Sequence, residues 1–578
     1  MSKVKDCFRI PPPGGVVLKG RLGRALALSV ENRLKRVNYS HLVEPFRLRN
    51  ETDGRWRCEF WGKIVRSAIR SLHGRPDPEL ARQVRATVAE LLETQTGDGC
   101  ISSYPVPLQT GDWDIWGRKY ALLGLLRFAT EFGAAPGLFR SVVRCLDHLM
   151  TQVGPDAKSI LECGHHTGLA ASSILGAVVK AYRLTGERRF LEYALWIAGE
   201  GCSSRENLFQ AIRRGVPPCE LGNGKAYEMT SCVEGLLELY RETGDSEQLE
   251  TVLTYYRAIR DREIFITGVG GLRDCWGEYW FDGARKQTCG DVGALGETCV
   301  TVTYLRFCCN LLRLVGDASA ADEMERSLYN GILGAMVPDG SWWLHANPTP
   351  LAGRGFKRRA GDQIPGFGED CCVAQGPEGL ATAALFAVMA DDSGVVVNLY
   401  EACEARIPLP GGGETRLRIE GEYPDRPRVR IVVEPDRRRS FRIRLRMPRW
   451  SRTTRIAVGD EAFQVPAGGY FDLDRVWDPS LRIQLEFDLS IRVVEAPDGR
   501  GRVAFVRGPV VLAQDSRLGG VDVPVDPAAA SGVELLDAPP EEFHHLYRLA
   551  DGTVLADYAC AGNRFCEENP LCVWMKTN

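Results

Sequence analysis

The sequence has no apolar run approaching the ~18 residues that a membrane-crossing helix needs, so no membrane span is expected. It has no surplus of basic charge either. Its 72 Lys and Arg stand against 75 Asp and Glu, a formal net charge of -3, and that balance argues against a nucleic-acid protein. The opening residues MSKVKDCFRIPPPGG include basic side chains but no apolar stretch behind them. No secretory signal is therefore expected, and the expected compartment is the cytoplasm. What remains is an ordinary globular composition, 44% hydrophobic and 25% charged. At about 150 residues per domain, 578 residues suit two to four domains.

One residue type is plentiful. There are 19 cysteines. In a reducing cytosol most of them act as small buried apolar residues, and only a few need special chemistry.

A repeat organises the first two thirds. Leu122, Leu125, Leu126 and Ala129 precede Gly133, and Leu175, Val178, Val179 and Tyr182 precede Gly186. Val233, Leu236, Leu237 and Tyr240 precede Gly244, and Leu305, Cys308, Cys309 and Leu312 precede Gly316. Each set is spaced i, i+3, i+4, i+7 with a glycine stop, which predicts a helix with one buried stripe. A second helical pattern follows, such as Phe190 to Ile197. Gly74 marks a looser copy upstream, and a helix over about Leu380 to Ala390 completes a sixth unit. Six helical hairpins form either a linear solenoid or a closed ring. By analogy with other six-hairpin proteins, a closed (α/α)6 barrel is expected.

Near residue 394 the period changes to two. Arg416 to Glu420, Phe441 to Met447 and Ile483 to Phe487 alternate, and turn clusters such as Pro410–Gly413 separate such runs. This predicts an antiparallel β-sandwich whose alternating arginines form its solvated face. The expected division is a helical barrel over 1–390, a sandwich over 391–500, and a C-terminal β/loop region over 501–578, with a second small β-domain as one option there.

Two cysteine groups carry candidate chemistry. Cys308 and Cys309 lie on a buried stripe and read as core. Cys371 and Cys372 read instead as a loop just before the sixth helix, and Glu297-Thr298-Cys299 starts the helix of the fourth repeat. Together they offer three thiolates and one carboxylate, a plausible tetrahedral zinc set. Cys560, Cys566 and Cys572 match no standard zinc spacing. Glu278 lies in an aromatic loop with Trp276 and Trp280. Trp56, Trp61, Trp113, Trp116, Trp342 and Trp343 also sit near predicted loops or helix starts, where exposed rings stack on sugar faces. His165, His166 and His345 have loop-like contexts.

FITGVGGLRDCWGEYWFD (265–282), GALGETCVT (293–301), SLYNGIL (327–333), WWLHANP (342–348) and DCCVAQGP (370–377) occur in that order, followed by LRMPRW (445–450), GGYFDLDRVW (468–477) and RGPVVLA (507–513). Over roughly residues 20 to 515 the chain resembles glycoside hydrolase family 127, whose characterised type is a β-L-arabinofuranosidase. The resemblance implies an (α/α)6 barrel followed by β-sandwich domains. It implies Glu297, Cys299, Cys371 and Cys372 as zinc ligands, Cys371 as nucleophile and Glu278 as general acid/base of a retaining exo-glycosidase. Where the family commonly has a Tyr two residues before Asn-Pro, this chain has His345. Two family histidines have no match; near them stand Ser172 and Lys225-Ala226-Tyr227-Glu228. His165, His166, Trp116 and Glu228, with His345, are the expected sugar-contacting residues, with Asp114 and Arg118 as further candidates. The expected partner is a glycoside or oligosaccharide, with a homodimer left open. Two other readings stand beside this one: a non-catalytic sugar-binding or scaffold protein with a structural Cys3Glu zinc, and a helical-barrel lyase or epimerase working through a His or Tyr base.

Overall fold

The structure is a computed structural model of the whole chain. It describes residues 4–133, 136–272, 277–288, 295–349, 351–354, 363–364, 366–479, 481–536 and 542–578. Trp276 and Gly293 therefore lie outside the described residues.

Among the described residues six helices form an inner ring: Cys58–Gly74, Asp114–Phe132, Leu175–Thr185, Ala226–Thr243, Thr298–Val315 and Cys371–Phe386. Each packs on the next, and the sixth packs back on the first, so the ring closes. Outer helices such as Pro78–Glu93, Arg188–Glu200, Ser246–Arg262 and Ala318–Ser327 pair with them. Arg21–Asn32 backs the sixth inner helix, so the last hairpin joins the two ends of the barrel segment. The architecture is the expected (α/α)6 barrel followed by β-sheets. The four glycine stops are real: Gly133, Gly186, Gly244 and Gly316 have φ between 69° and 81°, a conformation that costs glycine no Cβ clash.

Two details differ from the sequence reading. The sixth inner helix starts at Cys371 rather than near Leu380, and Val388–Ala390 is a strand. Gly376, Pro377 and Gly379 hide that helix in the sequence. They are packing devices: a Cβ on Gly376 would stand 2.2 Å from the Trp343 ring, and one on Gly379 would stand 2.7 Å from Val302. The helix Thr298–Val315 is, by length and composition, long and apolar enough to cross a membrane, although Arg306 and Arg313 interrupt its apolar residues. It is a buried core helix of the barrel, which satisfies the same test.

Beyond the barrel, a seven-stranded antiparallel sheet faces a four-stranded one. In Glu414–Glu420 buried and exposed residues alternate, which puts Arg416 and Arg418 in solvent. Arg442 and Arg444 pair across strands with Asp474 and Asp472. Arg446 breaks the expected solvated pattern. It is fully buried and binds Glu325 at 2.8 Å, fastening the sandwich to the barrel. Strand Val16–Leu18 pairs with Cys403–Pro408, so the N-terminal segment joins the sandwich. The residues after 490 add a third, nine-stranded sheet that also recruits Ala352–Gly353.

Candidate active site and metal centre

All six inner helices begin at the same end of the barrel, and the thiols sit there. Asp370 caps the sixth inner helix by accepting the Cys372 N–H at 2.8 Å, which fixes Cys371 and Cys372 in the first turn. Strand Leu295–Glu297 delivers Glu297 and then Cys299 at the start of the fifth inner helix. The same strand pairs with Ala346–Pro348, and its Glu297↔Ala346 register sets His345 beside Glu297. The segment carrying Glu278 is pinned to the start of helix Ala226–Thr243 by the Ala226 N–H donating to the Glu278 carbonyl at 2.7 Å.

These elements assemble two overlapping donor groups. Glu297, His345, Cys371 and Cys372 form one, and Glu278, Glu297, Cys299 and Cys371 the other, each with its donor atoms within 4.8 Å of one another. Cys372 Sγ lies 3.5 Å from Glu297 Oε1, 3.5 Å from His345 Nδ1 and 3.9 Å from Cys371 Sγ. The sulfurs are too far apart for a disulfide, whose bond is ~2.05 Å. Both thiol pairs singled out in the sequence contribute to these groups, and His345, expected only as a sugar contact, stands beside Cys372 and Glu297 in the first of them. Cys308 and Cys309 are buried in the core and in neither group, as expected.

The donor set fits a cation. Oε2 of Glu297 is buried with no hydrogen-bond partner among the described residues. Burial pushes the Glu297 carboxyl far above its ordinary value, and Glu278 and Cys371 push it further. The Cys371 thiol is pushed up by its contact with Cys299 and by burial, and Cys372 by burial first. For Cys299 burial also acts upward, but contacts from the other two sulfurs bring it down. Carboxylate and thiols that suppress one another's ionisation in a dry site are what a divalent cation would relieve. The group as built could hold a metal ion through buried Cys, Glu and His side chains.

A cavity of about 170 Å³ opens onto this centre. Trp56, Trp113 and Trp116 form its walls; Glu59, Lys63 and Tyr227 lie deeper; Lys225, Glu228, Glu278, His345 and Cys371 complete it. Drug-sized pockets run to ~300–1,000 Å³, so this one suits a single small ring. A larger hollow of about 960 Å³ lies on the outer sheet face beside Arg428, Arg430 and Gln484, and no donor group opens into it.

Lys225 Nζ stands 3.1 Å from Glu278 Oε2. Burial pushes Glu278 up, but Lys225, the contact with Glu297 and the charge of Lys63 together hold the carboxyl well below the usual range. Glu228 is almost wholly buried, its Oε2 has no hydrogen-bond partner among the described residues, and burial pushes its carboxyl up to about 7 against the pull of Lys225. His166 Nε2 is 4.0 Å from Glu228 Oε1, and burial, then Lys225, push this imidazole down to about 3, so it is neutral at pH 7.

The other expected contacts divide. Trp116 lines the cavity and donates its N–H to Glu59. His165 lies tilted at 45° against the Trp113 ring and faces Asp112 at 3.4 Å, outside the cavity lining. Asp114 is taken up by Ser102, the Thr110 N–H and Arg118, and Arg118 reaches Gln152; both are structural. Trp61, Trp280 and Trp343 are core residues. Sequence reasoning missed Glu59 and Lys63, which pair at 2.8 Å with Lys63 near the Tyr227 ring. Two opposite charges at i, i+4 among the apolar residues that open the helix Cys58–Gly74 were the available signal.

A closed ring of six hairpins, with a thiol and carboxylate centre under an aromatic-walled pocket, is the architecture of a helical-barrel protein with a site fit for one small ring. The chain belongs to glycoside hydrolase family 127: residues 25–384 match the β-L-arabinofuranosidase GH127 catalytic domain, and residues 394–489 match its middle domain. A non-reducing end β-L-arabinofuranosidase of Bifidobacterium longum subsp. longum is 23% identical over 548 residues, covering 86% of this chain and 78% of that protein. A GH127 β-L-arabinofuranosidase from Geobacillus stearothermophilus T6 superimposes with a TM-score of 0.77 at 19% identity, over 97% of this chain and 100% of that one. Another GH127 β-arabinofuranosidase structure gives 0.80 at 19% identity, over 99% and 98%. Its substrate class is therefore a carbohydrate.

Proposed function

We propose that the protein is an exo-acting, retaining β-L-arabinofuranosidase with Cys371 as nucleophile, Glu278 as acid/base, and Zn2+ held by Glu297, Cys299, Cys371 and Cys372. One observation carries the reading: Cys371 and Glu278 face the same small cavity with reactive atoms within 4.8 Å. Retaining glycosidases set their two groups ~5–5.5 Å apart, whereas inverting ones leave ~6.5–9.5 Å for a water. The cavity supports exo action, because it has room for one terminal ring. The sugar itself rests on the family relatives.

Zinc bound to this set would keep its thiols deprotonated near pH 7. Cys371 Sγ attacks the anomeric carbon while Glu278 gives its proton to the leaving oxygen, which breaks the glycosidic bond. Glu278, now ionised, takes a proton from water; the water oxygen attacks the same carbon and Cys371 leaves as a thiolate. Glu228 presents its free Oε2 to a sugar hydroxyl, and Trp116 offers a face to the ring. His345, with Asp370 on Nδ1, is pushed up to about 10 against the effect of burial; as a cation it would stabilise the ionised thiols, and it would serve as a metal donor only as the neutral imidazole. A closed structural zinc site would leave neither a cavity at one thiol nor a carboxyl beside it.

The cysteines also support the cytoplasmic placement, since those of the described residues are all free thiols. A panel of nitrophenyl furanosides and pyranosides tests the function. The expected result is turnover of the β-L-arabinofuranoside, with the first product retaining the β configuration by NMR. Turnover confined to pyranosides, or an inverted product, would overturn it.

A further inference from the structure

The inner helices all begin at the thiol end, so their last turns converge at the other end of the barrel. A second cavity of about 390 Å³ lies there, and its lining is cationic. Arg66, Arg70, Arg127, Lys180, Arg183 and Arg313 face it, against Glu131 and Glu238. We propose that this cavity binds a small dianionic oxyanion of the phosphate type.

The charges there are incompletely matched. Arg66 and Arg70 share one carboxylate, Glu378, at 2.8 Å each. Arg127 has Glu131 at 3.3 Å, and Glu131 also receives His73 at 2.8 Å. Lys180 has no ion pair among the described residues; burial pushes its ammonium down, and Glu238 and Glu234 act against that only at longer range, a state that a bound anion would relieve. Hydrogen-bond donors are left over as well. Nη1 of Arg66, Nε of Arg127 and Nε of Arg313 are buried with no acceptor among the described residues, and the Arg66 side chain is only 7% exposed.

Helix C-termini attract cations, which explains part of this composition, but that effect fades within the last turn. Arg66 sits two turns above the end of its helix, so its free donor has no carbonyl end to serve. An oxyanion accepts several N–H groups at once and supplies the missing charge. Arg183 and Arg313 are about a third exposed and mark the entrance; they are already paired, Arg183 with Glu238 and Glu242 and Arg313 with Asp6, so the unmatched cations lie deeper. From Thr298 to Arg313 the helix runs ~22 Å, so an anion here is remote from the thiols.

The test titrates inorganic phosphate into the full-length protein at constant ionic strength, reading Tm and calorimetric heat. A phosphate monoester, glycerol phosphate, is run in parallel. The expected result is a saturable rise in Tm at low millimolar ligand with matching heat; the tighter of the two ligands shows whether the free ion or an ester is preferred. Lys180→Gln removes a cation without stranding a carboxylate, and should weaken binding by ~10-fold while arabinosidase turnover stays unchanged. If Lys180→Gln does not fold, Arg127→Gln and phosphorus NMR line broadening of phosphate by the unaltered protein take its place. High phosphate stabilises proteins generally by exclusion. A Tm that climbs without saturating, equally in the variant, or an absence of heat and broadening, would overturn the proposal.

Discussion

Lys225 Nζ is 3.1 Å from Glu278 Oε2, and this contact sets the charge of the carboxyl proposed to donate a proton. Burial alone would favour the protonated acid; Lys225, with Glu297 and Lys63, pulls the other way and lowers the carboxyl. Its neighbour Glu228 is pushed up to about 7 by burial.

Lys225→Met should raise the Glu278 pKa. The acid form, needed for the bond-breaking step, would then persist to higher pH. The basic limb of kcat/KM on a substrate with a poor leaving group should shift upward, whatever the loss in absolute rate. A pH–rate profile settles this: an unmoved basic limb would mean that Lys225 does not tune Glu278.

Protein purified without added metal should contain about one zinc per chain. Cys299→Ala or Cys372→Ala should lower that content sharply. Cys308→Ala with Cys309→Ala should leave it unchanged while costing ~1–2 kcal/mol of stability per residue through small core cavities. Elemental analysis paired with urea denaturation reads both. Zinc lost from the folded Cys308/Cys309 variant would assign the metal to the wrong thiols.

Glu228 makes a stability prediction with a definite sign. Its carboxyl is raised from 4.5 to about 7 in the folded state, so between those values the native protein binds the extra proton. Stability from this group is full below about pH 4.5 and is lost as pH rises through 7. At ~1.4 kcal/mol per unit the loss is on the order of 3 kcal/mol. Glu228→Gln cannot ionise, so its urea stability should fall less between pH 5 and 7.5 than that of the unaltered protein. Parallel pH dependences would show that Glu228 is already ionised at pH 5.

Much of this was legible in the chain. The stripes before Gly133, Gly186, Gly244 and Gly316 gave the inner helices, because a helix with one buried face repeats at 3.6 residues and stops where only glycine is easy. The alternation at Arg416–Glu420 gave the sandwich. The sixth inner helix was not legible, because Gly376 and Gly379 are there for close packing on Trp343 and Val302, and Pro377 looks like a terminus. Arg446 read as a surface residue because nothing local announces Glu325 behind it. In the site, Glu297, Cys299, Cys371 and Cys372 could be found by type and spacing. His345 joined them only through the Glu297↔Ala346 register, a tertiary fact. Lys225 stood three residues from Glu228 in the sequence, but its grip on Glu278 depends on how two distant segments meet.

The central claim is that Cys371 carries the sugar, and Glu278→Gln makes that visible. A nitrophenyl β-L-arabinofuranoside needs little acid help to leave, so the first step should proceed in this variant. The second step lacks its base, an effect worth ~10²–10⁴-fold, so the intermediate should accumulate. Intact mass after brief incubation should show one added anhydropentose, peptide mapping should place it on Cys371, and azide should restore turnover. An adduct on another residue, or none in a variant that still binds metal and substrate, would contradict the account.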